Sequence, residues 1–419
     1  MMAHGAMTTK VHVLVPFLLP GLFFVSSLAH DAGLHPAVLL PGFTCSQLEA
    51  RLTDEYQPPP GCGALKGGGW FRLWENYTAE KQDPALVACY ADQLRLVYDP
   101  VAGDYRNAPG VQTRVVGFGT TRSFGTDDPA KKNICMKRLV QALEAVGYKD
   151  GVNLFGAPYD LRYAAGSAVF SRFVSRLKRL VERASMANGN KPVILVSHSF
   201  GGEKSLDFLN STTLPWRRRY IKHFVMISTG AGGAVTSLRN IGGSSSPGNV
   251  LSYANTSRSF ATLFYSLPSP RVFGHAPLVV TRTRNYSAYD MPELLAAEGF
   301  SGDEVARYVT VNLTAPGVPM TCINGVGVPT VEKLVYWDGD FGAAPRVVYG
   351  DGDGAINLAS FLALDTVIGA DQSQDYFKSI LIHNATHAGI LSDNFALHRV
   401  LNEILRAGRA SNYLHVASA

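Results

Sequence analysis

Short apolar runs closed by turn residues alternate with longer stretches of helical spacing along most of the chain. The first run is Ala37-Val38-Leu39-Leu40, ended by Pro41-Gly42. Runs this short, bounded by Gly and Pro, suit strands buried on both faces. Thr113 to Val116, Val152 to Phe155, Val193 to Val196, His223 to Ile227, Thr321 to Ile323, Arg346 to Tyr349 and Ser379 to Ile382 read the same way. Between them, Lys131 to Val146 and Ser167 to Ala187 have helical periodicity. In the second, Phe170, Phe173, Val174, Leu177, Leu180 and Val181 recur at three and four. Asn394 to Leu405 reads as a closing helix. Strands alternating with helices predict an α/β fold with a mainly parallel sheet covered on both faces.

Two stretches break this rhythm. Tyr56 to Gly69 is rich in Pro and Gly and reads as loop, followed by Trp70-Phe71-Arg72-Leu73-Trp74. From Gly230 to about Gly317, Gly, Ser, Pro and aromatics dominate, with helical patches such as Met291 to Glu298. That pattern predicts an inserted cap rather than a second sheet domain.

Composition adds little beyond class. The chain has 419 residues, 46% hydrophobic and 17% charged, enough for a large core. A net charge of +5 gives no ground for a nucleic-acid partner. The one basic run, Trp216-Arg217-Arg218-Arg219-Tyr220, reads as a solvated helix end, with anionic lipid headgroups as the rival reading. No repeat is present, and a monomer is expected.

The N-terminus changes the picture more. Lys10 precedes an apolar run from Val11 to Leu28, and Ser27-Leu28-Ala29 offers small residues for cleavage after Ala29. Pro16, Pro20 and His12 argue against an uncleaved anchor. Sequons at Asn76, Asn210, Asn255, Asn285, Asn312 and Asn384 agree with a secretory route, ending outside the cell or in the vacuolar or ER lumen. The five cysteines, Cys45, Cys62, Cys89, Cys135 and Cys322, leave at least one thiol unpaired. Cys62 and Cys89 flank one compact segment, and a disulfide joining them would contribute roughly 3 kcal/mol.

The candidate chemistry lies in Val196-Ser197-His198-Ser199-Phe200-Gly201-Gly202, between a strand and a helix. It resembles the nucleophile elbow G-x-S-x-G, with Ser197 in place of the first Gly. Positions two before and two after the nucleophile must be small, and Ser197 and Gly201 both are. A Ser hydroxyl needs a base, and in hydrolases of this fold an acid and then a His follow in chain order. The acid candidates, Asp351 and Asp353, lie in "VVYGDGDGAINL" directly after a strand. Such a turn also suits calcium, but no EF-hand spacing follows, and neither metal nor cofactor is expected. The base candidates are His383, at the end of the last strand, and His387, further into the loop. The oxyanion donors would be the amides of Phe200 and, from the loop after the first strand, Phe43.

Taken together, "PGFTCSQLEARL", "WFRLW", "APGVQTRVVGFG", "GAPYDLRYA", "PVILVSHSFGG", "APGVPMTCINGVGVPT", "VYGDGDGAINL" and "HNATHAGILSD" resemble the lecithin:cholesterol acyltransferase family, on its plant-like branch. The resemblance spans nearly the whole mature chain. It implies an α/β-hydrolase core with a cap at about 230–317 and a disulfide-closed lid and membrane-contact region at about 45–95. It implies Ser199, Asp353 and His387 as nucleophile, acid and base, Phe43 and Phe200 as oxyanion donors, and Cys62–Cys89 as the lid disulfide. It also gives Trp70, Phe71 and Trp74 a reading as an aromatic surface entering lipid; a local core under the disulfide is the equal alternative. The implied substrates are a phospholipid and a lipid alcohol, met at a membrane or lipid surface.

Several positions depart from the family pattern. Its "GDGTVN" is "GDGAIN" here, so Ala355 removes a hydroxyl that could order the acid turn. Cys322 matches one partner of a second family disulfide, but "LASFLALDTV" supplies no other cysteine, leaving Cys322 free. "APWGG" reads "TGAGG" at Thr229 to Gly233. The activity implied is therefore a Ser-dependent phospholipase or lipid O-acyltransferase. An inactive lipid-binding relative and a small-ester esterase are the alternatives.

Overall fold

The computed structural model describes residues 33–125, 128–129, 135–241, 250–252, 254–308 and 313–409. The secretory leader at 1–29, the sequon at Asn312 and the side chain of Asn255 lie outside the described residues. Six strands form the central sheet: β1 (Ala37–Leu40), β2 (Leu154–Gly156), β3 (Val193–His198), β4 (Ile221–Ile227), β5 (Met320–Val326) and β6 (Phe377–His383). Their order is β6-β5-β4-β3-β1-β2, and every pairing is parallel. Every residue of β1, β3 and β5 is buried, which is why their sequences are continuous apolar runs.

Two helix layers cover this sheet. On one face, α2 (Ala168–Ala187) and α3 (Phe200–Asn210) pack Phe170, Phe173, Leu177, Leu180, Leu206 and Phe208 against Leu40, Leu195, Phe224 and Met226. On the other, α1 (Lys137–Ala145) and α4 (Asn394–Arg409) pack Leu139, Leu143, Leu397, Val400 and Ile404 against Leu39, Val196, Val225 and Ile323. Ser167 caps α2 by accepting the Phe170 amide at 3.1 Å, so the predicted start of this helix is marked by a side-chain bond. This layering, with the elbow described below, is the α/β-hydrolase fold.

Two of the predicted sheet strands go elsewhere. Val111–Val115 pairs antiparallel with Leu48–Leu52, which also pairs with Phe71–Trp74. Its burial alternates along the strand, as expected for a sheet with one wet face. These strands, with the helix Ala85–Leu94, build a subdomain around Leu48, Leu73, Trp74, Tyr90 and Leu94. One tie to the core is Arg162, fully buried, which donates to Asp160 at 2.7 Å, Leu94 O at 3.0 Å and Thr113 Oγ1 at 2.9 Å.

Arg346–Gly350, also expected in the main sheet, instead pairs antiparallel with Thr330–Val335. Val279–Val280 and Asn285–Tyr286, from within the irregular stretch, complete that four-stranded sheet. The irregular stretch expected to form a cap therefore contributes two strands to a small separate sheet, and the chain after β5 supplies the other two. The helix Met291–Ala297 and residues such as Leu263, Phe264 and Leu278 give it a separate apolar cluster. Among the described residues, no helix is long and apolar enough to cross a membrane.

Candidate active site

β3 delivers the chain into a sharp bend. Ser199 has φ 55° and ψ −132°, a left-handed conformation that a side chain bears only when its surroundings impose it. The bend is held from three sides: Ser199 N donates to Ile227 O at 2.9 Å, Gly202 N donates to Ser199 O at 2.9 Å, and Thr229 Oγ1 donates to Ser199 O at 3.0 Å. A Cβ at Gly201 would lie 2.5 Å from both Leu40 O and Pro41 O, so only glycine fits two residues after Ser199. Two residues before it, Ser197 is fully buried and its Oγ has no partner among the described residues. The site tolerates this hydroxyl without using it. Thr229, the first residue of the departure "TGAGG", was not singled out in the sequence because its role depends on β4 lying beside β3.

The candidate acid and base converge on this bend. His387 Nε2 lies 2.8 Å from Ser199 Oγ, and His387 Nδ1 lies 2.7 Å from Asp353 Oδ2. Asp353 is fully buried, whereas Asp351 is exposed and accepts the Gly327 amide at 2.6 Å. Burial alone would raise the Asp353 carboxyl. The facing His387 and the amides of Ile356 and Ala355 outweigh it and hold the group below its ordinary range. Those amides donate to Asp353 Oδ1 at 2.8 and 3.0 Å. The loss of a hydroxyl at Ala355 is thus harmless to the carboxylate, which is gripped by the main chain. Thr330, from the cap sheet, orders the turn instead by accepting the Gly354 amide at 2.8 Å. His383 is exposed at the end of β6, not a buried core histidine.

The proposed oxyanion donors are the amides of Phe43 and Phe200. The Phe43 and Phe200 rings meet edge to face, 5.7 Å apart. Neither amide N–H is taken up by an acceptor among the described residues. Phe200 opens α3, whose N-terminus carries partial positive charge toward any anion formed there. The Phe43 turn is fixed by Cys45 N donating to Gly42 O at 3.1 Å and by Tyr159 OH donating to Pro41 O at 2.9 Å. It is also tied by a disulfide, Cys45–Cys135, across a separation of 90 residues. Nothing local in the sequence marks that pair. The expected Cys62–Cys89 disulfide is present, and Cys322 is free and buried.

The aromatic segment divides. Trp74 is 2% exposed, packed in the subdomain core, and its Nε1 donates to Thr44 O at 3.1 Å. It is a core residue, not a lipid contact, because the strand Phe71–Trp74 turns it inward. Phe71 is half-buried and stacks on Tyr90 at 6.2 Å. Trp70 is half-buried beneath Arg114 at 4.3 Å and Arg51 at 5.4 Å, so Trp70 and Phe71 both keep part of their surface open. Of the sequons, Asn285 and Asn384 are exposed. Asn76 and Asn210 are half-buried and spend their amide nitrogens on Arg72 O and Thr314 O.

Comparison with known proteins places the chain in a family. The family model for lecithin:cholesterol acyltransferase matches residues 70–275, which include the elbow. Over 391 residues the chain is 42% identical to the lecithin-cholesterol acyltransferase-like 1 protein of Oryza sativa subsp. japonica, covering 89% of this chain and 87% of that one. The chain belongs to the lecithin:cholesterol acyltransferase family. The family member of the same description from Arabidopsis thaliana is 41% identical, over 90% of this chain and 91% of its own. The family's lysosomal phospholipase A and acyltransferase of Rattus norvegicus is 33% identical, over 84% and 86%.

Proposed function

We propose that the protein is a lipid acyl-transfer enzyme that takes an acyl group from a phospholipid onto Ser199 and passes it to water or to a lipid alcohol. The observation carrying this reading is the unbroken hydrogen-bonded chain from Ser199 Oγ through His387 to buried Asp353. In the first half-reaction, Ser199 Oγ attacks the ester carbonyl carbon while His387 Nε2 takes its proton. Asp353 fixes the imidazole with Nδ1–H toward itself and favours the imidazolium that forms. The amides of Phe43 and Phe200 would receive the oxyanion. Collapse breaks the acyl C–O bond, and His387 returns the proton to the departing lysophospholipid oxygen. The second half-reaction runs the same steps in reverse with the acceptor's O–H.

The family names of the relatives support phospholipid, and a sterol or other lipid alcohol, as substrates. The leader, the exposed sequons and two disulfides support a lumenal or extracellular site of action, where thiols are oxidised. Trp70 and Phe71, both half-buried, are the residues left to support contact with a lipid surface.

The test is mass-spectrometric product analysis with phosphatidylcholine vesicles, with and without sterol. Free fatty acid or acylated alcohol together with lysophospholipid is the expected outcome. Ser199→Ala should lower the rate on the order of 10⁴-fold or more. An unchanged rate in that variant overturns the reading.

A further inference from the structure

The residue just before the nucleophile has a job that the triad does not include. His198 ends β3, is 3% exposed, and packs its ring 5.0 Å from that of His387. Its Nε2 lies 2.9 Å from the main-chain carbonyl of His387. A carbonyl only accepts, so Nε2 carries the proton and Nδ1, in a neutral ring, is bare. Nδ1 has no partner among the described residues and faces Gly42, where a Cβ would stand only 3.2 Å away. The ring therefore fills the space between the oxyanion turn and the base loop. His387 is also held from its other side, since its own N–H donates to Asp353 O at 2.7 Å.

We propose that His198 is a positioning residue that ties the main chain of His387 and the turn at Gly42 to the nucleophile strand, and so sets the reach from His387 Nε2 to Ser199 Oγ. The inference rests on Ser199 and His387 acting as nucleophile and base. Past the end of β6 at His383 the loop is anchored by main-chain bonds from Asn384 N to Val326 O and from His387 N to Asp353 O, both 2.7 Å, and the His198 side chain adds its tie to the nucleophile strand. Burial drives the His198 imidazole down to about 3, with the neighbouring His387 adding to the effect and Asp353 opposing it. The ring therefore stays a neutral donor at pH values where an exposed histidine would be charged and would repel the imidazolium formed at His387.

The test compares three variants with wild type and with Ser199→Ala on a soluble p-nitrophenyl ester, with thermal melts and a pH profile for each. His198→Gln keeps an N–H the same number of bonds from the backbone. His198→Asn falls one bond short of the carbonyl, and His198→Phe has no donor. The Gln variant should stay within about threefold of wild type, while the Asn and Phe variants lose on the order of 10-fold to 100-fold in kcat with KM unchanged. Their acid limb of kcat/KM should also move, because the base loop is no longer held. Wild-type kcat in folded Asn or Phe variants, or a loss in Gln equal to that in Phe, overturns the proposal. If the Phe variant does not fold, the Gln and Asn pair decides. Full activity in Ser199→Ala would instead sink the functional reading beneath it.

Discussion

Gly201→Ala is the substitution whose cost follows most directly from the coordinates. The added Cβ would stand 2.5 Å from two main-chain oxygens, Leu40 O and Pro41 O, where ordinary contact begins at 3.4 Å. Neither oxygen can rotate away: one ends β1 and the other begins the oxyanion turn. The start of α3 and that turn must separate by about 0.9 Å, a figure set by those two distances. This opens the gap between the Phe43 and Phe200 amides. A displacement near 1 Å at reacting groups costs roughly 100-fold in rate, and overpacking costs about 1–3 kcal/mol in stability. The paired control is Ser197→Ala, which removes a buried, unpartnered hydroxyl. It should leave kcat/KM within about threefold and stabilise by about 1 kcal/mol or less. Both are read by p-nitrophenyl ester hydrolysis and thermal melts. A Gly201→Ala protein with wild-type kcat/KM and an unchanged melt would refute the packing argument.

Asp353→Asn should lower kcat on the order of 10⁴-fold at nearly unchanged stability, because the amide orients the wrong His387 tautomer; a loss under about tenfold would contradict the acid assignment. His223 is buried against Thr321, and burial, aided by Lys222, lowers its imidazole from 6.5 to about 4. The unfolded chain then binds more protons in that window, so stability is full above about 6.5 and falls as pH drops toward 4, by roughly 3 kcal/mol in all. His223→Gln should flatten that part of the melting-temperature profile, and an unchanged slope would count against it. Replacing both Cys45 and Cys135 with Ala should cost roughly 4–5 kcal/mol by loop entropy, given 90 residues between them, and should lower esterase activity more than the same change at Cys62 and Cys89. Equal activity in the two double variants would show that the Cys45 tether does not serve the oxyanion turn.

The sheet was legible where burial on both faces forces continuous apolar runs, as at β1, β3 and β4. It was not legible at Val111–Val115 and Arg346–Gly350, where similar β-branched runs pair antiparallel in smaller sheets, the first with Leu48–Leu52 far back along the chain and the second with nearby Thr330–Val335. Ser199 and a following acid and His could be read because chemistry restricts their residue types and chain order, while the family resemblance chose Asp353 over Asp351 and His387 over His383. Trp74 could not be placed, since an aromatic in a strand faces core or surface according to a register that no spacing reveals. Thr229, Thr330 and His198 support the site through bonds to main-chain atoms. Such roles depend on which backbone lies opposite, and the sequence around each residue says nothing of that.

The central claim is that acyl transfer passes through Ser199 Oγ. Rapid mixing of the enzyme with phosphatidylcholine vesicles, acid quenching and peptide mass mapping test it directly. The account predicts a single fatty-acyl adduct on Ser199, formed before lysophospholipid release is complete and absent from Ser199→Ala. Phospholipid turnover with no adduct on Ser199, or with an adduct on another residue, would contradict it.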